Sequence, residues 1–191
     1  MPPKAKFSKK EIVAAAVDIV RACGSDALTA RALGESLGSS PRPIFTVFQS
    51  MEEVRREVIA YGQAVYQDLI AQEIARGKYP FYKSYGMAYI RFARQERELF
   101  KLLYMRDRTH EEPSEDGYME TVYDAIMKAN GVTRQQAMLM HLENWICVHG
   151  IATMLATAYY PMDEELIAKI VSDAYQGSRN AVLKGEDHES H

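Results

Sequence analysis

Residues 39–54 read SSPRPIFTVFQSMEEV, with an arginine between two prolines, phenylalanines at 45 and 48, and Ser50 three residues before Glu53. The prolines either kink a connector or start a helix. With Ser40 as the cap, Pro41 occupies the first helical position, where its missing N–H costs no bond. Pro43 still lies within the first turn, whose N–H groups have no intrahelical partner. The expectation is a short third helix with Ile44, Val47 and Phe48 on one side. The Ser50/Glu53 capping box then restarts the chain as a long helix through about Arg76.

Upstream, the apolar set Ile12, Ala15, Ala16, Ile19, Val20 and Cys23 follows the helical period, with Ser8 and Glu11 as a capping box and Gly24 as the stop. Thr29 caps a second helix whose inner face is Leu33 and Leu37, and Gly38 is its exit. Downstream, Pro80 opens a helix to about Arg94, Glu96–Tyr104 reads as a short one, and Arg106–Asp116 as a loop. Tyr118–Asn130 is helical, Thr133 with Gln136 caps a long apolar helix ended by Pro161, and Asp163 caps a last one reaching about Lys184. No strand alternation and no internal repeat is apparent. The chain reads as all-α with about nine helices, divided into a helix-turn-helix domain at 1–50, a larger helical domain at 51–184 and a polar tail at 185–191.

Composition agrees. Of 191 residues, 47% are hydrophobic and 26% charged, which is a folded rather than a disordered balance. No apolar run approaches the roughly 20 residues of a membrane span, and residues 1–13 lack a secretory pattern, so the expected location is the cytoplasm, with no membrane partner. Cys23 and Cys147 stand far apart and outside any CxxC pattern, which predicts two reduced, buried thiols and no metal site. Residues 1–50 hold seven Lys/Arg against four Asp/Glu, and the remainder 16 against 22. A basic head precedes an acidic body.

Ala15-Ala16, Gly24, LTARALGESLG at 28–38, PIFTVF at 43–48 and the capped long helix resemble the TetR family of bacterial transcriptional regulators. WICVHGIATML at 145–155 is similar to the Trp-x-x-x-His-Gly motif of one class of their ligand-binding domains. The resemblance implies a homodimer on a palindromic double-stranded operator, probed by one recognition helix per copy, and a larger domain that holds a small apolar or aromatic effector of unknown identity. No cofactor is implied, and the expected sign of regulation is repression. Thr29 and Ser40, at helix N-termini, suit phosphate; Arg42 and Thr46 suit base edges; Lys4, Lys6, Lys9 and Lys10 suit a basic arm. Arg31, Ser39, Pro43 and Phe45 complete the expected DNA face. The family commonly carries Tyr-x-His-Phe followed by Lys, where this chain has Phe45-Thr46-Val47-Phe48 and Met51, which removes three phosphate-reaching groups. An interaction protein that keeps the fold without operator binding is therefore the alternative.

For the effector, the candidates are Tyr89, Tyr104, Met105, Tyr123, His141, Asn144, Trp145 and His149. His141, Trp145 and His149 recur every four residues on one helix face. Apolar walls with a few convergent polar groups make a pocket, while aromatic and methionine stripes equally make a core. The resemblance places the dimer contact on the last two helices, at Gly150, Thr153, Met154 and Thr157, then Ala168, Ser172 and Tyr175. A helical enzyme using His141 and His149 is the remote rival; their eight-residue gap and the helical phase of Cys147 make a poor tetrahedral set, and no HExxH, P-loop, GxSxG or GxGxxG occurs. The expectation is that the protein is not an enzyme.

Overall fold

The computed structural model describes residues 6–107, 109 and 118–189. Lys4 and most of the expected 106–116 loop lie outside them. Among the described residues there are eight α-helices and no strand: α1 (Lys9–Cys23), α2 (Ala30–Ser36), α3 (Met51–Arg76), α4 (Phe81–Gln95), α5 (Arg97–Tyr104), α6 (Tyr118–Asn130), α7 (Arg134–Ala156) and α8 (Glu164–Glu189). None of them is long and apolar enough to cross a membrane.

Side-chain caps fix most of the starts. Ser8 accepts the Glu11 N–H and the Glu11 carboxylate takes the Ser8 N–H at 2.7 Å, the reciprocal pair expected of a capping box. Thr133 and Gln136 repeat it at α7. Thr29 accepts from the Ala32 N–H at 3.1 Å, and Asp163 from the Leu166 N–H at 2.8 Å. At α3 the box is displaced. Ser50 accepts from the Glu53 N–H, but the Glu53 carboxylate turns to the N–H of Gln49 at 2.6 Å.

The expected third α-helix does not form. Residues 41–48 instead run mainly through i→i+3 bonds, with Ile44 N–H on the Pro41 carbonyl at 3.0 Å, Thr46 on Pro43 at 3.3 Å and Val47 on Ile44 at 3.0 Å, and a single i→i+4 bond from Phe48 to Ile44 at 3.0 Å, so that only Ile44–Thr46 is a 3₁₀ turn. The cause is local. Pro43 disfavours the α region for Arg42 before it, and Ile44, Thr46 and Val47 are β-branched residues that lose side-chain freedom in a helix. The Thr46 hydroxyl also donates to the Pro43 carbonyl at 2.6 Å. Two helix ends shift as well. α7 stops at Ala156 because the Thr157 hydroxyl donates to the Thr153 carbonyl at 2.7 Å and Ala158 takes φ 55°, while α8 continues to Glu189 through the expected tail.

The chain forms two compact units, Met1–Gln67 with Gln95–Asp107, and Asp68–Arg94 with Arg108–His191; the boundary expected after residue 50 falls inside the first. In the first unit α1 packs on α2 and α5. Its core holds Ile12, Ala16, Val20, Leu28, Leu33, Ile44, Phe48, Val54, Val58, Leu99 and Phe100, all fully buried. Arg21 grips Glu96 through a two-bond fork, Nε–Oε2 2.8 Å and Nη2–Oε1 2.6 Å, and lies over the Tyr61 ring. At Gly34 a Cβ would stand 3.0 Å from backbone atoms of residues 39–41, so glycine admits the close pass of the turn after α2.

In the second unit α7 packs on α6 and α8. Val122, Ile126, Val132, Ala137 and Met140 form a buried cluster with Tyr82, Tyr123, Met127 and Tyr175 packed against it. The carboxylate of Glu73 is buried and its Oε1 accepts from Arg76 at 2.8 Å and Arg91 at 2.9 Å. Lys83 ties α4 to α8, donating to the Ala168 carbonyl at 2.8 Å and to the Ser172 hydroxyl at 2.7 Å.

Candidate functional site

The expected DNA face lies in the first unit. Lys6, Lys9, Lys10, Thr29, Arg31, Ser40, Arg42, Phe45 and Thr46 are exposed, and Ser39 and Pro43 half-buried. Several already have partners within the unit. Lys6 donates to the Ser39 hydroxyl at 3.1 Å, Lys9 pairs with Glu57 at 2.7 Å, and Arg31 with Glu35 at 2.9 Å. Exposed pairs of this kind are weak and exchange readily for phosphate. Thr29 uses its oxygen on the helix N-terminus and Thr46 on Pro43, so neither hydroxyl group is idle. Ser40 and Arg42 stand at the outer side of the 3₁₀ segment rather than on the first turn of a helix. Val47 and Met51 are half-buried.

Of the effector candidates, Tyr89, Tyr123, His141, Asn144, Trp145 and His149 belong to the second unit, and Tyr104 and Met105 to the first. Tyr104 packs against Phe100 and Tyr66, and Met105 is exposed. The six in the second unit are organised by α4 and α7. Tyr89 Oη lies 2.9 Å from His149 Nδ1, and Tyr82 Oη 3.1 Å from His141 Nδ1. Between these pairs, a Cβ on Gly86 would come within 3.2 Å of Val148, so a small residue lets α4 approach α7 there. When the phenol is the donor, each imidazole carries its own proton on Nε2. Burial pushes both imidazoles below their ordinary value.

The surroundings of the two histidines differ. His141 sits against the Tyr82 and Tyr123 rings, beside the buried cluster. His149 stacks on Trp145, ring centroids 5.0 Å apart and planes 17° from parallel, and that indole is 43% exposed. Asn144 is buried and its side-chain amide returns to the Met140 carbonyl at 2.7 Å, which makes it part of the core. Tyr82 was missed in the sequence, although it stands two helical turns before Tyr89, seven residues away, as His141 stands two turns before His149, eight residues away.

The expected dimer residues divide. Met154 and Thr157 are exposed and Gly150 and Thr153 half-buried on the outer side of α7. On α8, Ala168 and Ser172 hold Lys83, and the Tyr175 hydroxyl accepts from Asn130 at 2.6 Å with its ring near Tyr82. The side chains of Ser172 and Tyr175 are thus engaged within their own unit. The large exposed apolar residues on α7 and α8 are instead Met138, Leu139, Leu142, Trp145, Ile146, Met154 and Leu166. Both cysteines are free, but Cys23, the last residue of α1, is exposed and Cys147 half-buried, against the expectation of burial. Among the described residues no three His, Cys, Asp or Glu side chains are grouped to hold a metal ion.

Residues 83–173 match the family model described as tetracyclin repressor-like, C-terminal domain. Among solved structures, the chain is similar to a point variant of TetR from Acinetobacter baumannii AYE in complex with minocycline, at 18% identity and a TM-score of 0.56, covering 97% of this chain and 100% of that one. No match was found among curated proteins.

Proposed function

We propose, from the match of residues 83–173 to a tetracyclin repressor-like C-terminal domain and the likeness of the fold to that of a TetR variant, that the chain is a homodimeric transcription regulator of the TetR family, a repressor that a small molecule releases from a palindromic operator. The observation that carries this is the pairing of a tetracyclin repressor-like domain with a separate, capped N-terminal unit exposing Lys6, Lys10, Ser40 and Arg42. The minocycline held by the similar TetR variant supports a small-molecule effector here. Dimerisation is supported by α7, where Leu139, Leu142 and Ile146 recur at helical spacing and are 48%, 51% and 59% exposed. Burying such a side chain is worth about 1.5–3 kcal/mol, which a second copy would supply. An effector that prefers one spacing of the two heads then lowers operator affinity by its difference in affinity for the two states.

The test is selection of bound fragments from the source genome at near-physiological salt, followed by anisotropy titration of the best fragment. A palindromic site bound by a dimer is expected. Replacing Arg42 by Ala should cost about 1–3 kcal/mol at that site and relax one base position; unchanged affinity removes Arg42 from the base-reading residues.

A second reading, an interaction protein without operator binding, is favoured by the 3₁₀ turn in place of a recognition helix and by the partners already held by Lys9, Arg31 and Thr46. No enriched fragment even at low salt, with ligand-free protein, would favour it.

A further inference from the structure

The segment that follows α2 is fastened from within. Ile44 and Phe48 are fully buried, and between them Phe45 stands 45% exposed. Single exposed apolar side chains are ordinary. What surrounds this one is charged. Lys6 reaches the Ser39 hydroxyl at 3.1 Å, the Lys9 ammonium lies 5.9 Å from the centre of the Phe48 ring, and the exposed Arg42 makes no hydrogen bond or ion pair among the described residues. Cations thus flank the segment at its start, its middle and its end. An apolar partner covering the phenyl ring would have to strip water from them, whereas a polyanion would pair with them, so duplex DNA is the occupant the charges favour.

Thr46, the next residue, is expected to reach a base edge. Its hydroxyl proton is instead committed to the Pro43 carbonyl at 2.6 Å, so it has none to give a base acceptor. Phe45 has no polar side-chain atom and offers nothing to a phosphate or to the hydrogen-bonding edge of a base. In the major groove the apolar group that a base presents is the C5-methyl of thymine, and phenylalanine is among the side chains that meet it. Buried neighbours anchor the turn on both sides, so such a contact costs little ordering.

We infer that Phe45 is a specificity-determining residue, which reads the 5-methyl group of one thymine in each half of the operator. The inference rests on the DNA-binding regulator of the proposed function and adds the base to it. For the test, the strongest selected fragment is amplified, which leaves its cytosines unmethylated. Each thymine is then replaced singly by deoxyuridine, which keeps the pairing and removes that methyl alone. At one thymine per half-site the exchange should cost about fourfold in affinity, the worth of one buried methyl. Phe45→Ala, a change at an exposed position that should leave thermal unfolding where it was, should bind the thymine and uridine forms alike. The absence of any sensitive thymine overturns the inference, and so does a thymine whose methyl still counts in Phe45→Ala. A sedimentation shift in Phe45→Ala with the uridine response unchanged overturns it too, and assigns the ring to a second copy. A palindrome that is selected but blind to uridine sinks this inference alone; no selected fragment sinks the regulator and the inference together.

Discussion

The two units place polar and apolar residues in opposite ways. Among the described residues, the polar side chains that are buried, Glu73, Ser84, Asn144 and Ser178, all lie in the second unit, and so do most of the large apolar ones left exposed. The first unit leaves only Phe45, Tyr61 and Met105 among its large apolar residues exposed and carries surface ion pairs such as Lys9–Glu57 and Arg31–Glu35. A protein surface is never free of apolar atoms, but a run such as Leu139, Leu142 and Ile146 on one helix is more than scatter. α7 alone leaves Met138, Leu139, Leu142, Trp145, Ile146 and Met154 exposed, with no run like it among the described residues of the first unit.

This contrast can be broken most directly in the first unit. Phe48 is 1% exposed, and Phe48→Ala should cost about 3–5 kcal/mol in denaturant unfolding. A much smaller loss would mean that the 41–48 segment is loosely packed. Next comes the outer side of α7. Ile146→Asp should leave the stability of the single chain within about 0.5 kcal/mol but weaken self-association by about 2 kcal/mol, read as a roughly 30-fold rise in the sedimentation dissociation constant. Unchanged association would move the dimer contact elsewhere. Thr29→Ala removes the α2 cap and should cost about 1 kcal/mol.

The smallest effect sharpens the comparison through pH. His141 and His149, both in the second unit, have values depressed by burial, so the unfolded chain takes up protons near its ordinary value of about 6.5 that the folded chain refuses. Stability should therefore be complete above that pH and fall as pH drops below it. The carboxylates of Glu11 and Glu164, held low by their hydrogen bonds, contribute only further into acid, above which their stabilisation is full. Unfolding curves between pH 5 and 7 should lose this slope in the His141→Gln/His149→Gln double variant; a slope that persists assigns it to other groups.

Helix starts were readable because capping chemistry is local: Ser8 with Glu11 and Thr133 with Gln136 identify themselves within four residues. The all-helical class followed from periodicity for the same reason. Residues 41–48 were misjudged because the rule permitting proline in a first turn says nothing of the constraint that Pro43 places on Arg42. The site was only half legible. The four-residue spacing of His141, Trp145 and His149 showed a shared face, but which imidazole is packed and which is presented depends on α4, some 60 residues away. The α8 residues failed likewise: Ser172 and Tyr175 looked small or amphipathic enough for an interface, yet Lys83 and Asn130 claim them.

Gly34 carries a consequence for how this head can vary. Backbone atoms of residues 39–41 lie 3.0 Å from where its first side-chain carbon would be, and backbone cannot swing aside as a side chain can. A side chain at position 34 would press on the turn, which has to give by a few tenths of an ångström to admit it. The side chains of Ser40 and Arg42 are exposed beyond that close pass, so they can vary without altering it.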